Sequence, residues 1–258
     1  MKSDKIRYRL VSAASFAVLI LCWYIVTEVL HLLSPIIAPG PRVVLKALTA
    51  KFVDPNPDGA VLLEHIMASL TVALAGFGLG AVIGIPLGIC MAWYRKVDLF
   101  AKPLFDLIRP IPPIAWIPLM ILWFGIGLPA KAAVIFLSAF IPCVINSYSG
   151  IRQTNPVHLW VGSTFGATDR ENLWKIAIPT AIPSIFTGLR ISLGLAWTSL
   201  VAAELLAATQ GLGYMIQVAR MLGRPDIIVV GMLVIGSIGA LLGLLLELLE
   251  RRFVKDGH

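Results

Sequence analysis

Charge is what this sequence is short of. Only 14% of its 258 residues are Asp, Glu, Lys or Arg, against 58% hydrophobic residues and a mean hydropathy of +0.88. A soluble globular domain carries about 25% charged residues, so the composition marks an integral membrane protein. Cysteine is scarce too. Cys22, Cys90 and Cys143 are odd in number and each lies inside an apolar run, which argues against a disulfide framework or a thiolate metal site. His31, His65, His158 and His258 have no ligand spacing, so no metal site is expected. The phosphate-loop pattern G-x-x-x-x-G-K-[ST] is missing, so no ATP site is expected on this chain. The net charge of +7 does not point to nucleic acid, because the basic residues flank apolar runs, as bilayer insertion requires. A serine-elbow reading of Gly162-Ser163-Thr164-Phe165-Gly166 fails for want of an in-membrane histidine base, and no catalytic residue is expected.

Long apolar runs are what the chain has in quantity. A spanning helix needs roughly 20 mostly apolar residues, and six candidates meet that: 10–30, 66–92, 103–124, 131–150, 183–208 and 227–249. The first follows Lys2, Lys5, Arg7 and Arg9, but its apolar run is longer than a signal-peptide core and no small-residue cleavage site follows. It reads as a retained helix. With the N-terminus in the cytoplasm, the inner segments hold Lys2, Lys5, Arg7, Arg9, Arg95, Lys96, Lys102, Arg152, Arg170, Lys175, Arg251, Arg252 and Lys255. The outer ones hold Arg42, Lys46, Lys51, Lys131, Arg220 and Arg224. This bias predicts an even number of spans with both termini inside. The fold class expected is therefore an all-α integral membrane protein of six helices. Residues 1–64 supply one span and an external loop, 65–250 a five-span core containing a cytoplasmic loop at 151–179, and 251–258 a cytoplasmic tail.

Several features qualify the spans. Gly76, Gly80, Gly84 and Gly88 recur every four residues and so share one helical face, where a second backbone can approach closely. Close helix packing is the favoured reading, and a path-lining role the lesser one. The third span carries Pro110, Pro112, Pro113 and Pro118. It cannot be a straight lipid-exposed helix, and a broken backbone at membrane depth is tolerated only against protein or a water-filled cavity. Arg109, Pro112, Pro113 and Trp116 are thus candidates to line or gate a path. Arg190 and Glu204 join them as ionisable residues within a span, which normally face a bundle interior. Arg109 is spaced to pair with Asp106, and Glu204 could instead cap a neighbouring helix. Outside the spans, 42–52 reads as a short helix in the external loop, and Gly211–Leu222 as a short amphipathic helix on the outer surface.

The densest charge lies in "GATDRENLWKIAIP", Gly166 to Pro179. Asn155-Pro156 opens this loop with a turn. Two short helices bent at Gly166 are predicted, with Ala167–Asn172 as a docking surface, Leu173–Ile178 lying on the membrane, and Pro179 as the break before the next span. Gly166, nine residues, then Ile176-Ala177-Ile178-Pro179 resembles the G-x9-I-x-L-P close of the cytoplasmic EAA loop in permease subunits of bacterial ABC importers, except that Trp160-Val161-Gly162 stand where Glu-Ala-Ala would be. Together with "RPIPPIAWIPLMILWFGIG" and "LRISLGLAWTSLVAAELLAATQGLGYMI", the chain resembles the nitrate/sulfonate/taurine branch of type I importers, and taurine permeases within it. The resemblance implies a homodimer of this chain in the bacterial inner membrane, an ABC ATPase dimer holding ATP-Mg, and an external binding protein that delivers a small organic sulfonate or nitrate-like anion. It also assigns Gly166, Ala167, Thr168, Asp169, Arg170, Glu171, Asn172, Leu173 and Trp174 to ATPase coupling. The alternative is a proton- or ion-coupled secondary transporter. Such proteins usually break helices in two corresponding halves, whereas a single proline-broken span and no internal repeat are visible here.

Overall fold

The computed structural model describes residues 2–255, and every regular element among them is helical. The first helix, α1 (Lys2–Tyr24), runs into a π turn at Ile25–Val29. It is followed by α2 (Pro41–Lys51), α3 (Leu62–Trp93), α4 (Arg95–Ile108), α5 (Ile117–Phe124), α6 (Leu128–Arg152), α7 (Pro156–Thr164), α8 (Asp169–Asn172), α9 (Ile178–Ala207), α10 (Leu212–Met221) and α11 (Pro225–Lys255). Four helical stretches are long and apolar enough to cross a bilayer: Leu62–Trp93, Leu128–Arg152, Asp169–Leu206 and Pro225–Arg252. A fifth crossing is made if the pair Arg95–Ile108 and Pro113–Phe124, bent by 82°, counts as one span, and Ala14–Val29 is a shorter apolar helix.

The proline-rich segment bends where its backbone loses donors. The chain leaves α4 at Ile108, and Pro113 starts a 3-10 turn that leads into α5. Pro118 then falls in the first turn of α5, where a missing N–H costs nothing.

The four-residue glycine stripe of α3 is buried against α6. A β-carbon on Gly76, Gly80, Gly84 or Gly88 would meet, in turn, Ile135, Ala139, Cys143, and the Val144 carbonyl with Ser147 at under 3 Å. The stripe is therefore packing, as favoured. α6 packs in turn on α9, where Ser138 and Ser199 share a hydrogen bond at 2.8 Å and Ser192 donates to the Ala139 carbonyl at 2.8 Å. Such polar contacts compensate for the weak hydrophobic drive between helices in lipid. Trp197 of α9 donates to the Ile235 carbonyl of α11 at 3.1 Å.

Two expectations change. α10 is amphipathic, but Leu212, Met215 and Ala219 are buried in a core shared with α3, α6, α9 and α11. Its apolar face meets protein, because α3 starts and α9 ends beside it. Pro179 does not break the chain either: the helical stretch runs unbroken from Asp169 to Leu206. The backbone widens into a π turn at Leu173–Ala177 just before Pro179, which re-registers the hydrogen bonds around the missing donor.

Candidate functional site

The charged loop folds back on the ends of α3, α6 and α9. Asn155 caps α7 by accepting from the Val157 N–H at 3.0 Å. Gly166 turns the chain with φ +86°, a left-handed conformation that glycine adopts without strain. Thr168 and Glu171 then form a reciprocal capping box at the start of α8, and Lys175 donates to Glu171 at 2.9 Å.

This turn is tethered to the bundle. Trp93, the last residue of α3, donates to Asp169 at 2.9 Å. Asn172 and Leu173 are buried. Leu173 joins Ala92, Ile151, Ala177 and Ala181 in a cluster backed by Tyr148 and Ile89. Asn172 donates to Ser163 at 3.0 Å, so it braces α7 against α8. Gly162 allows that approach, since a β-carbon there would overlap the Asn172 side chain. Of the nine residues expected to couple, Asn172 and Leu173 therefore turn inward and Ala167 and Glu171 are half-buried, while Gly166, Thr168, Asp169, Arg170 and Trp174 are exposed. The sequence reading missed the apolar surface beside them: Phe165 is 87% exposed and Trp160 68% exposed.

The path candidates do not converge. Arg109 lines a cavity of about 320 Å³ near the loop, with Lys102, Asp106, Tyr148 and Arg152. The expected Asp106–Arg109 ion pair is not formed among the described residues; instead Arg152 lies over the Tyr148 ring and pairs with Asp98 at 3.6 Å. Arg190 pairs with Glu250 of α11. Pro112 is exposed and Trp116 half-buried, packed on the cluster of Ile117, Met120, Ala130, Val134 and Ala203.

Glu204 sits at the opposite end of the bundle and is 1% exposed. Its carboxylate accepts from Ser69 at 2.8 and 3.0 Å and from the Gly213 N–H at 2.9 Å. It thereby caps the start of α10, where unpaired N–H groups favour an anion. Ser69 also accepts from Leu212 N–H at 2.9 Å, and His65 Nδ1 accepts from Gly211 N–H at 3.1 Å. The His65 proton is therefore on Nε2, which faces Asp58 Oδ1 at 3.3 Å. Lys51, 2% exposed, donates to Asp58 at 2.5 Å and to the carbonyls of Pro55, Asn56 and Ala60. Burial alone would push the Asp58 carboxyl up, but the His65 and Lys51 side chains outweigh it and hold it below the ordinary value. Lys51, Asp58, His65 and Ser69 lie far from Glu204 in sequence and carried no local signal. Among the described residues no group of His, Cys, Asp or Glu could hold a metal ion.

The family model for the binding-protein-dependent transport system inner membrane component matches residues 84–256. The chain belongs to this family. It is the permease subunit of an ABC importer for small solutes, a multi-pass membrane transport component and not an enzyme. The permease is 39% identical over 244 residues to the taurine transport system permease protein TauC of Escherichia coli, covering 93% of this chain and 87% of that protein. It is 34% identical over 196 residues to the bicarbonate transport system permease protein CmpB of Synechococcus elongatus, covering 76% and 70%. Its fold is similar to a chain of the MetNI methionine ABC transporter in an inward-facing conformation, with TM-score 0.61, 20% identity, and 76% and 96% of the two chains covered.

Proposed function

We propose that two copies of this permease form the path for a small organic sulfonate such as taurine, driven by an ABC ATPase dimer that binds ATP-Mg and docks on the turn at Gly166–Trp174. An external binding protein delivers the solute, both termini are cytoplasmic, and the loop faces the ATPase. The observation that carries this reading is the turn itself. It is exposed at Phe165, Asp169, Arg170 and Trp174, yet fixed beneath by the Trp93–Asp169 bond and the buried Leu173 cluster. Because α8 continues into α9, a push on the turn moves a spanning helix directly. Likeness to a taurine permease supports the sulfonate, and likeness to a bicarbonate permease supports a small oxyanion more broadly.

An external energy source is required by magnitude. Importing a monoanion against an inside-negative potential costs about 2.3 kcal/mol per 100 mV, and each tenfold gradient adds about 1.4 kcal/mol. A zwitterion avoids only the first term. The test is reconstitution of the permease with its ATPase and external binding protein in proteoliposomes. ATP-dependent taurine uptake is expected. Accumulation by the permease alone on a proton gradient would overturn the ABC assignment. ATPase association that survives deletion of 169–172 would overturn the docking assignment.

A further inference from the structure

At the end of the bundle away from the loop, a cavity of about 510 Å³ opens between the starts of α3 and α6 and the end of α9. Its volume falls in the range of small-ligand sites, roughly 300–1,000 Å³. Lys131 lines it although it is only 8% exposed. A buried ammonium is costly unless paired, yet Lys131 forms no ion pair or hydrogen bond through Nζ among the described residues. Its charge acts on Glu204 only at longer range, and the Glu204 oxygens are already taken by Ser69 and the Gly213 N–H. Lys131 also lies in the first turn of α6, whose N-terminal end favours an anion.

The same cavity is lined by Glu64. One Glu64 oxygen accepts from the Val61 N–H at 3.0 Å, and the other takes no bond among the described residues. Two opposite charges therefore face one cavity without pairing with each other. Thr71, Thr209 and Gln210 add neutral hydrogen-bonding groups to its wall. A simple anion would satisfy Lys131 and be repelled by Glu64. A molecule carrying both charges satisfies each.

We propose that this cavity is a way-station for a small zwitterion, with its anionic head on Lys131 and its ammonium on Glu64. The proposal rests on the reading of the chain as a permease for small sulfonates or oxyanions and narrows the substrate to an amino-sulfonate or similar zwitterion.

The test compares taurine with ethanesulfonate, which keeps the sulfonate and lacks the ammonium. Tritiated taurine is bound to the permease–ATPase complex in nanodiscs without the external binding protein, and each unlabelled compound competes. Taurine is expected to compete about tenfold better or more, a difference of one charge pair. Lys131→Gln should weaken taurine binding about tenfold or more, and Lys131→Arg should restore most of it. Glu64→Gln should erase the preference and let ethanesulfonate compete better than it does on the wild type, a gain that misfolding cannot produce. Equal competition by the two compounds, no taurine binding by the wild type, or unchanged binding in Lys131→Gln would each overturn the proposal. Failure of the wider reading looks different: the complete system, with its binding protein, would take up no taurine under ATP. Normal uptake by the complete system, with taurine binding unchanged in the cavity variants, would overturn the cavity alone.

Discussion

Asp58 shows how much can rest on one residue outside the membrane. Its side chain is fully buried beside Lys51 and His65, and that cluster anchors the loop before α3. Removing the charge leaves Lys51 with only carbonyl partners, and breaking a buried pair costs about 3 kcal/mol or more. Asp58→Asn should accordingly lower the thermal midpoint of the detergent-solubilised protein. The pH dependence has a definite sign. Asp58 is held below 3.8, its ordinary value, so its contribution is complete above that pH and is lost as pH falls through the lower, folded value. Thermal unfolding followed by tryptophan fluorescence should show a midpoint that drops steeply below about pH 4 in the wild type and more shallowly in Asp58→Asn. Gly162 is the equivalent residue at the loop. Gly162→Val would force α7 away from Asn172 and Ile176, at a cost of about 1–3 kcal/mol typical of overpacking. ATP-coupled uptake should fall while membrane insertion, read by protease protection of the termini, stays intact. Intact uptake would show that the α7–α8 brace is dispensable.

At the scale of elements, the α3 glycines admit an internal control. A β-carbon on Gly88 meets the Val144 carbonyl at 2.5 Å, whereas one on Gly78 meets nothing within 4 Å. Gly88→Leu should therefore disrupt the α3–α6 pair and lower the yield of folded protein on size-exclusion chromatography, and Gly78→Leu should leave it unchanged. Leu favours helix over Gly, so equal loss in both would mean that added side-chain bulk in general, not the contact with α6, is being measured. The four-residue period was legible in the sequence because a helix places those positions on one face. The bend at Pro110–Pro113 was legible for a similar reason, since proline's missing donor is a local property. Pro179 carries the same chemistry and does not break its helix, because the π turn at Leu173–Ala177 precedes it and the proline lies at the start of α9.

For the whole molecule, the decisive consequence is dependence on other chains. The permease has no phosphate loop, so the purified chain should hydrolyse no ATP, and hydrolysis should appear only when the ATPase is added. Within the complex, Trp93→Phe removes the bond to Asp169 while keeping the ring in place. It should loosen the link between ATP hydrolysis and uptake, seen as more ATP spent per solute carried. An unchanged ratio would show that the Leu173 cluster alone transmits the movement.

By itself the sequence determined the membrane character, the positions of the apolar helices, the proline bend and the site of the charged turn. Each follows from local composition and helical period, which act through a few neighbouring residues. Only the tertiary structure decided which polar groups meet. Arg190 pairs with Glu250, sixty residues on; Glu204 meets Ser69, 135 residues away, as it caps α10; and Asn172, expected on the docking surface, turns inward with Leu173, expected to lie on the membrane. Hydrogen bonds and ion pairs act over a few ångströms, and at such sequence separations only the packing of helices brings their partners within reach.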